Sequence, residues 1–222
     1  MPQYRFFPSC KAKADFPKES ARAAEYLENR FGIRPEGCCR PGHKKLTADD
    51  TAVFVCNNCA AVIEENTEAS LKSLWELIDE DPYFPFPDYG GEEITVQDCW
   101  IAFEKRKVQD AVRSLLRKMN FRIAELPENY EKTRFCGENL LGPCTESNRQ
   151  LVHHRYVELY PEMFTPMTEE EKDAHFRAHC GKIRTRRTAC YGRFCRRGME
   201  RGGREALHML QLLFPASEGS QV

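Results

Sequence analysis

Two hydrophobic periods alternate along the chain. Short apolar runs stand at residues 4–7 (with Tyr4, Phe6 and Phe7), 51–55 (TAVFV), 94–96 (ITV) and 121–126, and their length and their β-branched or aromatic content predict strands; 186–189 is read as a further short strand. Helix-period stretches lie between them. Residues 19–30 place Ala23, Ala24 and Leu27 on one stripe and stop at Gly32. Residues 100–119 align Val108, Ala111, Val112, Leu115 and Leu116 on one side of a long amphipathic helix. Residues 59–80 predict one broken helix or two short ones, with Leu71, Leu74, Trp75 and Ile78 on a common face. Further helices are expected over 147–160, over 168–179, where TEEE makes a good amino-terminal cap, and over 203–213, which would bury Ala206, Leu207, Leu210 and Leu213.

Strands alternating with helices define an α/β fold. The order strand, cysteine, helix recurs, which predicts a tandem repeat. The first unit spans 1–80 and the second 93–214. Residues 81–92 join them, and in DPYFPFPDYGG three prolines and two glycines make a linker whose four aromatics would pack on something. A polar tail is expected over 215–222.

The cysteines give this frame a chemistry. Five of eleven lie in the first sixty residues: Cys10, the adjacent Cys38 and Cys39, and the pair Cys56 and Cys59. If the strands are parallel, their carboxyl ends share one edge, where ligands of open α/β sheets sit, and the thiols can converge. Soft thiolates are ligands for zinc and for iron-sulfur clusters. Four suffice for zinc or a cubane, so a fifth is surplus to either. Adjacent cysteines are also awkward for a tetrahedral ion, whereas an enlarged or asymmetric cluster has more iron corners to satisfy. In the second unit Cys99, Cys136, Cys190 and Cys195 form a candidate second metal site, with Cys180 and Cys144 as other thiols to complete it. Outside these sets the competing reading is a buried thiol packed as a small hydrophobe. His43 reads as a solvated loop histidine beside Lys44 and Lys45.

Composition narrows the setting. A net charge of -1 gives no global sign of nucleic-acid binding. The start MPQYRFFPSC lacks a basic stretch followed by a long apolar one, and no run reaches membrane-spanning length, so a cytoplasmic protein without membrane association is expected. A reducing compartment favours metal or redox chemistry over a disulfide framework. Between residues 182 and 204 nine Lys or Arg face a single acid, Glu200. Arg193, Arg196 or Arg197 would there bind an anionic thiol or disulfide or dock an acidic electron carrier, against the plainer reading of a solvated basic face.

These residues resemble the cysteine-rich CCG domain family, whose pattern is a lone Cys, then Cys-Cys-Gly, then Cys-x-x-Cys, usually twice. The resemblance runs from Phe6 to Phe214 and includes ITVQDCW and CYGRFCRRG. It implies two tandem Rossmann-like CCG half-domains with cysteines at the carboxyl ends of their strands. In members similar to the catalytic subunit of heterodisulfide reductase, each five-cysteine set holds a non-cubane [4Fe-4S] cluster. Cys10, Cys38, Cys39, Cys56 and Cys59 match all five ligands, with Arg40 where the family has glycine. In the second unit Cys99, Cys136 and Cys195 stay in register, while Phe135 and Gly192 stand in cysteine positions. The resemblance implies an iron-sulfur oxidoreductase, or a subunit of one, that reduces a disulfide or related acceptor. It also implies electrons from a ferredoxin-like or flavin-containing donor protein, since no ferredoxin-type cysteine run is present. The alternatives are a structural zinc module with an RNA-contacting basic tail, and an electron-transfer subunit without its own substrate.

Overall fold

The computed structural model describes residues 3–215, so the expected polar tail lies outside the described residues except for Pro215. The first part of the chain runs β1 (Gln3–Phe7), α1 (Cys10–Asp15), α2 (Pro17–Phe31), α3 (Cys39–Gly42), β2 (Asp50–Phe54), α4 (Asn57–Asn66), β3 (Ser70–Ser73) and α5 (Leu74–Asp79). The second runs β4 (Glu93–Gln97), α6 (Arg106–Lys118), β5 (Arg122–Glu125), α7 (Glu146–Leu151), α8 (Glu169–Cys180), β6 (Arg187–Cys190), α9 (Arg193–Arg201), β7 (Glu205–His208) and α10 (Met209–Leu213).

The strands form two sheets, one of order β1-β2-β3 and one of order β5-β4-β6-β7, and every pairing is parallel. The α/β class expected from the alternating periods is therefore observed. Every residue of β2 is buried, as a central parallel strand covered on both faces requires. Phe6 pairs with Val53 and Phe7 with Phe54, so the two aromatics beside Cys10 sit in the core. Between the sheets, α5 packs against α6 and α10 against α2. Residues 81–91 pack as their aromatics suggested: Phe84 is buried against Tyr26 and Phe214, and Tyr89 stacks on Phe121 with ring centroids 4.4 Å apart.

Local periodicity misplaced several elements. Leu71 belongs to β3, not to the helix that its spacing with Leu74, Trp75 and Ile78 suggested. Likewise the helix expected over 203–213 is β7 followed by α10, with Ala206 and Leu207 extended. Both short strands run without a loop into helices closed by capping boxes, Ser73 with Glu76 and His208 with Gln211. The helix read from 100 to 119 is a 3₁₀ turn at Trp100–Ala102 and then α6. The stretch read as a helix over 147–160 is α7 and a π-helical turn, His154–Leu159. Three helices were missed: α1, capped by the Ser9 side chain, and the short α3, both in place of loops, and α9, which carries Cys195.

Buried histidines add a pH dependence. Desolvation holds His208 down to about 3, with Arg196 adding to the shift, and holds His179 down to about 4, with Lys182 adding. Both are neutral when folded at pH 6.5, the ordinary histidine range, and below it the unfolded chain binds protons that the folded chain rejects. Stability is complete above pH 6.5 and is lost as pH falls toward 4 and then 3, by up to about 1.4 kcal/mol per pH unit per histidine. The His208→Asn variant keeps an acceptor for the Leu210 N–H and should give a shallower loss between pH 6.5 and 4.5 in denaturant titrations. An unchanged slope would remove His208 from this account.

Candidate metal centre

The cysteines meet at the carboxyl ends of both sheets. A cavity of about 280 Å³ lies there, lined by Cys10, Cys38, Cys39, Cys56 and Cys59 and also by Cys99, Cys136 and Cys195. A single water or ion needs only about 10–15 Å³ of such space, so the cavity is sized for a many-atom group. Cys10 begins α1 just beyond β1; Cys56 caps α4 just beyond β2; Cys99 follows β4 and Cys195 lies in the first turn of α9, beyond β6. Cys38 and Cys39 come from the start of α3, and Cys136 from the loop after β5.

Helix starts leave backbone N–H groups without carbonyl partners, and these favour a thiolate. Cys56 uses them: the Cys59 thiol and the N–H groups of Asn58 and Cys59 hold it down to about 6. Cys59 also donates to Cys39, which it holds below the ordinary thiol range. The cost falls on Cys59 itself, which those contacts and burial push well up. Burial pushes Cys38, which touches Cys10, upward. Cys10 is exposed at the rim.

In the same lining Cys99, Cys136 and Cys195 are all buried, and their sulfur atoms lie within 4.8 Å of one another. Cys99 and Cys136 are 3.6 Å apart, Sγ to Sγ. Hydrogen bonds from Cys136 and Cys195 hold Cys99 well below its usual range, and the same contacts push Cys195 well above it. These three buried cysteines can hold a metal ion. All eleven cysteines are free thiols.

A buried polar network anchors the loop of Cys99. Its N–H donates to the Tyr191 hydroxyl at 3.1 Å, which donates to Asp98 Oδ1 at 2.8 Å. Asp98 is fully buried, receives both terminal nitrogens of Arg113 at 3.1 and 2.8 Å, and accepts from the Tyr130 N–H at 2.7 Å. Sequence reasoning missed this network, because its parts are 15 to 93 residues apart.

The sequence candidates therefore divide. Of the metal candidates all but Cys190 line one cavity, and the fold joins in a single space the two thiol groups that the sequence suggested as separate sites. Cys190 is fully buried in β6 outside the lining, with its thiol pushed up by desolvation. Cys180 is buried beside Met199, and Cys144 is half-buried away from the cavity. Phe135 is buried and stacks on His179 with ring centroids 4.2 Å apart. His43 is not a solvated loop residue: it is buried, with Nδ1 3.0 Å from the Cys39 carbonyl, because the loop folds as α3 and a 3₁₀ turn.

Seven of the nine basic residues of 182–204 are paired with acids; Arg204 bonds backbone carbonyls instead. Arg193 and Arg197 both reach Asp15, Arg196 reaches Glu200, Arg186 and Arg187 reach Glu205, and Lys182 reaches Glu128. Of the three arginines expected to bind an anion, only Arg193 lines the cavity. Lys11 and Arg40 join it, and no Asp or Glu lines the cavity among the described residues.

No helix among the described residues is long and apolar enough to cross a membrane. The chain matches no protein-family model, no curated protein and no solved structure.

Proposed function

We propose that this protein is an iron-sulfur oxidoreductase, or a subunit of one, whose cavity holds a [4Fe-4S] cluster of the non-cubane type on Cys10, Cys38, Cys39, Cys56 and Cys59. The observation that carries this reading is the cavity itself: about 280 Å³ lined by five thiols from the first unit, with Lys11 and Arg40 but no carboxylate in the lining among the described residues. Thiolates and a thiolate-ligated cluster are negative, so Lys11 and Arg40 offset charge that a row of acids would oppose. The donor set fits the group in softness and number. When bound, such a cluster supplies one-electron transfer, and the acceptor we assign is a disulfide or a related sulfur compound. The chain's residues would supply ionised ligands at Cys56 and Cys39, positive charge for an anionic substrate at Lys11 and Arg40, and access at the rim beside Cys10; Arg193 at the same cavity is held by Asp15. Electrons would come from a ferredoxin-like or flavin-containing protein.

The finer fold we assign is two tandem Rossmann-like CCG half-domains, 1–80 and 93–214. Support comes from matching positions: β1, β2 and β3 correspond to β4, β6 and β7, with β5 added at the edge. Cys10 and Cys99 follow the first strands, Cys56 and Gly192 are amino-terminal caps after the second, and capping boxes follow the third. The packing of α5 on α6 and of α10 on α2 is reciprocal under the same correspondence.

Anaerobic purification should give about four irons and four acid-labile sulfides per chain. The paramagnetic spectrum should change when a thiol is added. Zinc without iron, after expression with ample iron, would overturn the reading.

A further inference from the structure

The second thiol group is a different kind of site from the first. We propose that Cys99, Cys136 and Cys195 bind one thiophilic divalent cation of the Zn²⁺ class, with a fourth coordination position left open to the cavity beside Gly192. This goes beyond the cluster reading and uses other residues, so it stands whether or not the first five cysteines hold iron.

The spacing suits a single ion. Zinc–sulfur bonds of about 2.3 Å at tetrahedral angles put ligand sulfurs about 3.8 Å apart. Cys99 and Cys136 are 3.6 Å apart, and all three sulfurs fall within 4.8 Å. A disulfide, at about 2.05 Å, is not formed. Buried thiols that merely pack as hydrophobes look like Cys190, which stands apart in β6. These three instead meet sulfur to sulfur. Gly137 shows what the convergence requires: a Cβ there would lie 1.7 Å from the Phe194 carbonyl oxygen, so only glycine lets the Cys136 segment rest on the strand-to-helix turn that carries Cys195.

The common cubane takes four thiolates, whereas three protein ligands match zinc sites that keep a position for an exogenous ligand. That position is at Gly192. Its φ of -125° is open to any residue, so the backbone does not call for glycine. A Cβ there would lie 3.2 Å from the Cys195 sulfur and 3.4 Å from the Cys99 sulfur, which aims a side chain at the same centre. No neighbour fills the place. His208 lines the cavity, but its Nδ1 accepts from the Leu210 N–H and its ring also bonds the Tyr191 backbone. Asn57, only 2% exposed, lines the same space, and its amide helps hold the Cys99 thiol below the usual range, while its amide oxygen is left without a partner. A small thiol entering there would bind the ion through sulfur as its proton passes to the buffer.

Cobalt makes the test visible. The Cys56→Ser/Cys59→Ser chain, stripped of metal and titrated anaerobically with Co²⁺, should take up one ion per chain with thiolate-to-cobalt absorption. Adding Cys195→Ser should abolish that absorption. 2-Mercaptoethanol should shift the visible bands as it fills the open position. Gly192→Cys, in the otherwise unaltered chain, should tighten Co²⁺ binding on the order of tenfold and should cancel the thiol-dependent shift. Circular dichroism reports whether each variant is folded, and Gly192→Cys keeps the test decisive if the serine variants unfold. Absorption that survives Cys195→Ser, or a Gly192→Cys chain with unchanged affinity, would overturn the site. The iron content of the unaltered chain reports separately on the cluster.

Discussion

The Cys56→Ser chain, purified without oxygen, is expected to carry at least about tenfold less iron than the unaltered chain while remaining folded. Loss of a group that merely orients a metal ligand already costs about 10–100-fold in affinity, so loss of a ligand should cost no less. Cys56 is the place to expect the largest effect. Its thiol is the one held down to about 6, by the Cys59 thiol and by two N–H groups at the start of α4, so it is ionised at neutral pH before any metal arrives. Serine is similar in size but offers a hard oxygen that stays protonated, which soft iron disfavours. The matched control is Cys144→Ser, at a half-buried thiol outside the cavity, whose iron content should not change. Equal iron in the Cys56→Ser and unaltered chains would remove Cys56 from the ligand set.

Replacing Asp98 by alanine should destabilise the protein by about 3–5 kcal/mol, the usual result when one partner of a buried ion pair is removed. Asp98 is fully buried and Arg113 is 1% exposed. The substitution strips two Arg113 nitrogens, the Tyr191 hydroxyl and the Tyr130 N–H of a shared acceptor. Glu125 still accepts from Arg113 at 2.6 Å but is more than a third exposed, so it offsets only part of the loss. Against a typical total of about 5–15 kcal/mol the effect is large. A urea midpoint lowered at unchanged slope would be the expected readout, and a loss below about 1 kcal/mol would show that the network does not carry the fold. Tyr191→Phe should cost less, about 1–3 kcal/mol, because it leaves the Cys99 N–H without its acceptor while Asp98 Oδ1 keeps its bond from Arg113.

These two substitutions probe different kinds of information in the chain. The alternation of apolar runs, and the cysteines directly after them, determined the α/β class, the strands β1, β2, β4 and β6, and the carboxyl edge as the place where thiols gather. Such features are local: a buried parallel strand must be apolar along its whole length, and a ligand just past its end shares an edge with its neighbours. Tertiary structure alone decided the rest. β3 and β7 are four residues each at sheet edges, and Leu71 or Leu207 reads as helical until the pairing with β2 or β6 extends it. The nine basic residues of 182–204 look like a free patch until acids from elsewhere, Asp15 and Glu205 among them, meet most of them. The resemblance set Cys99, Cys136 and Cys195 apart from Cys190 only as an expectation of register; that three sulfurs meet while the fourth stays in the core was decided by the fold. That difference is physical: a repeating pattern follows from the local geometry of strand and helix, whereas a shared cavity depends on which distant segments close on one another.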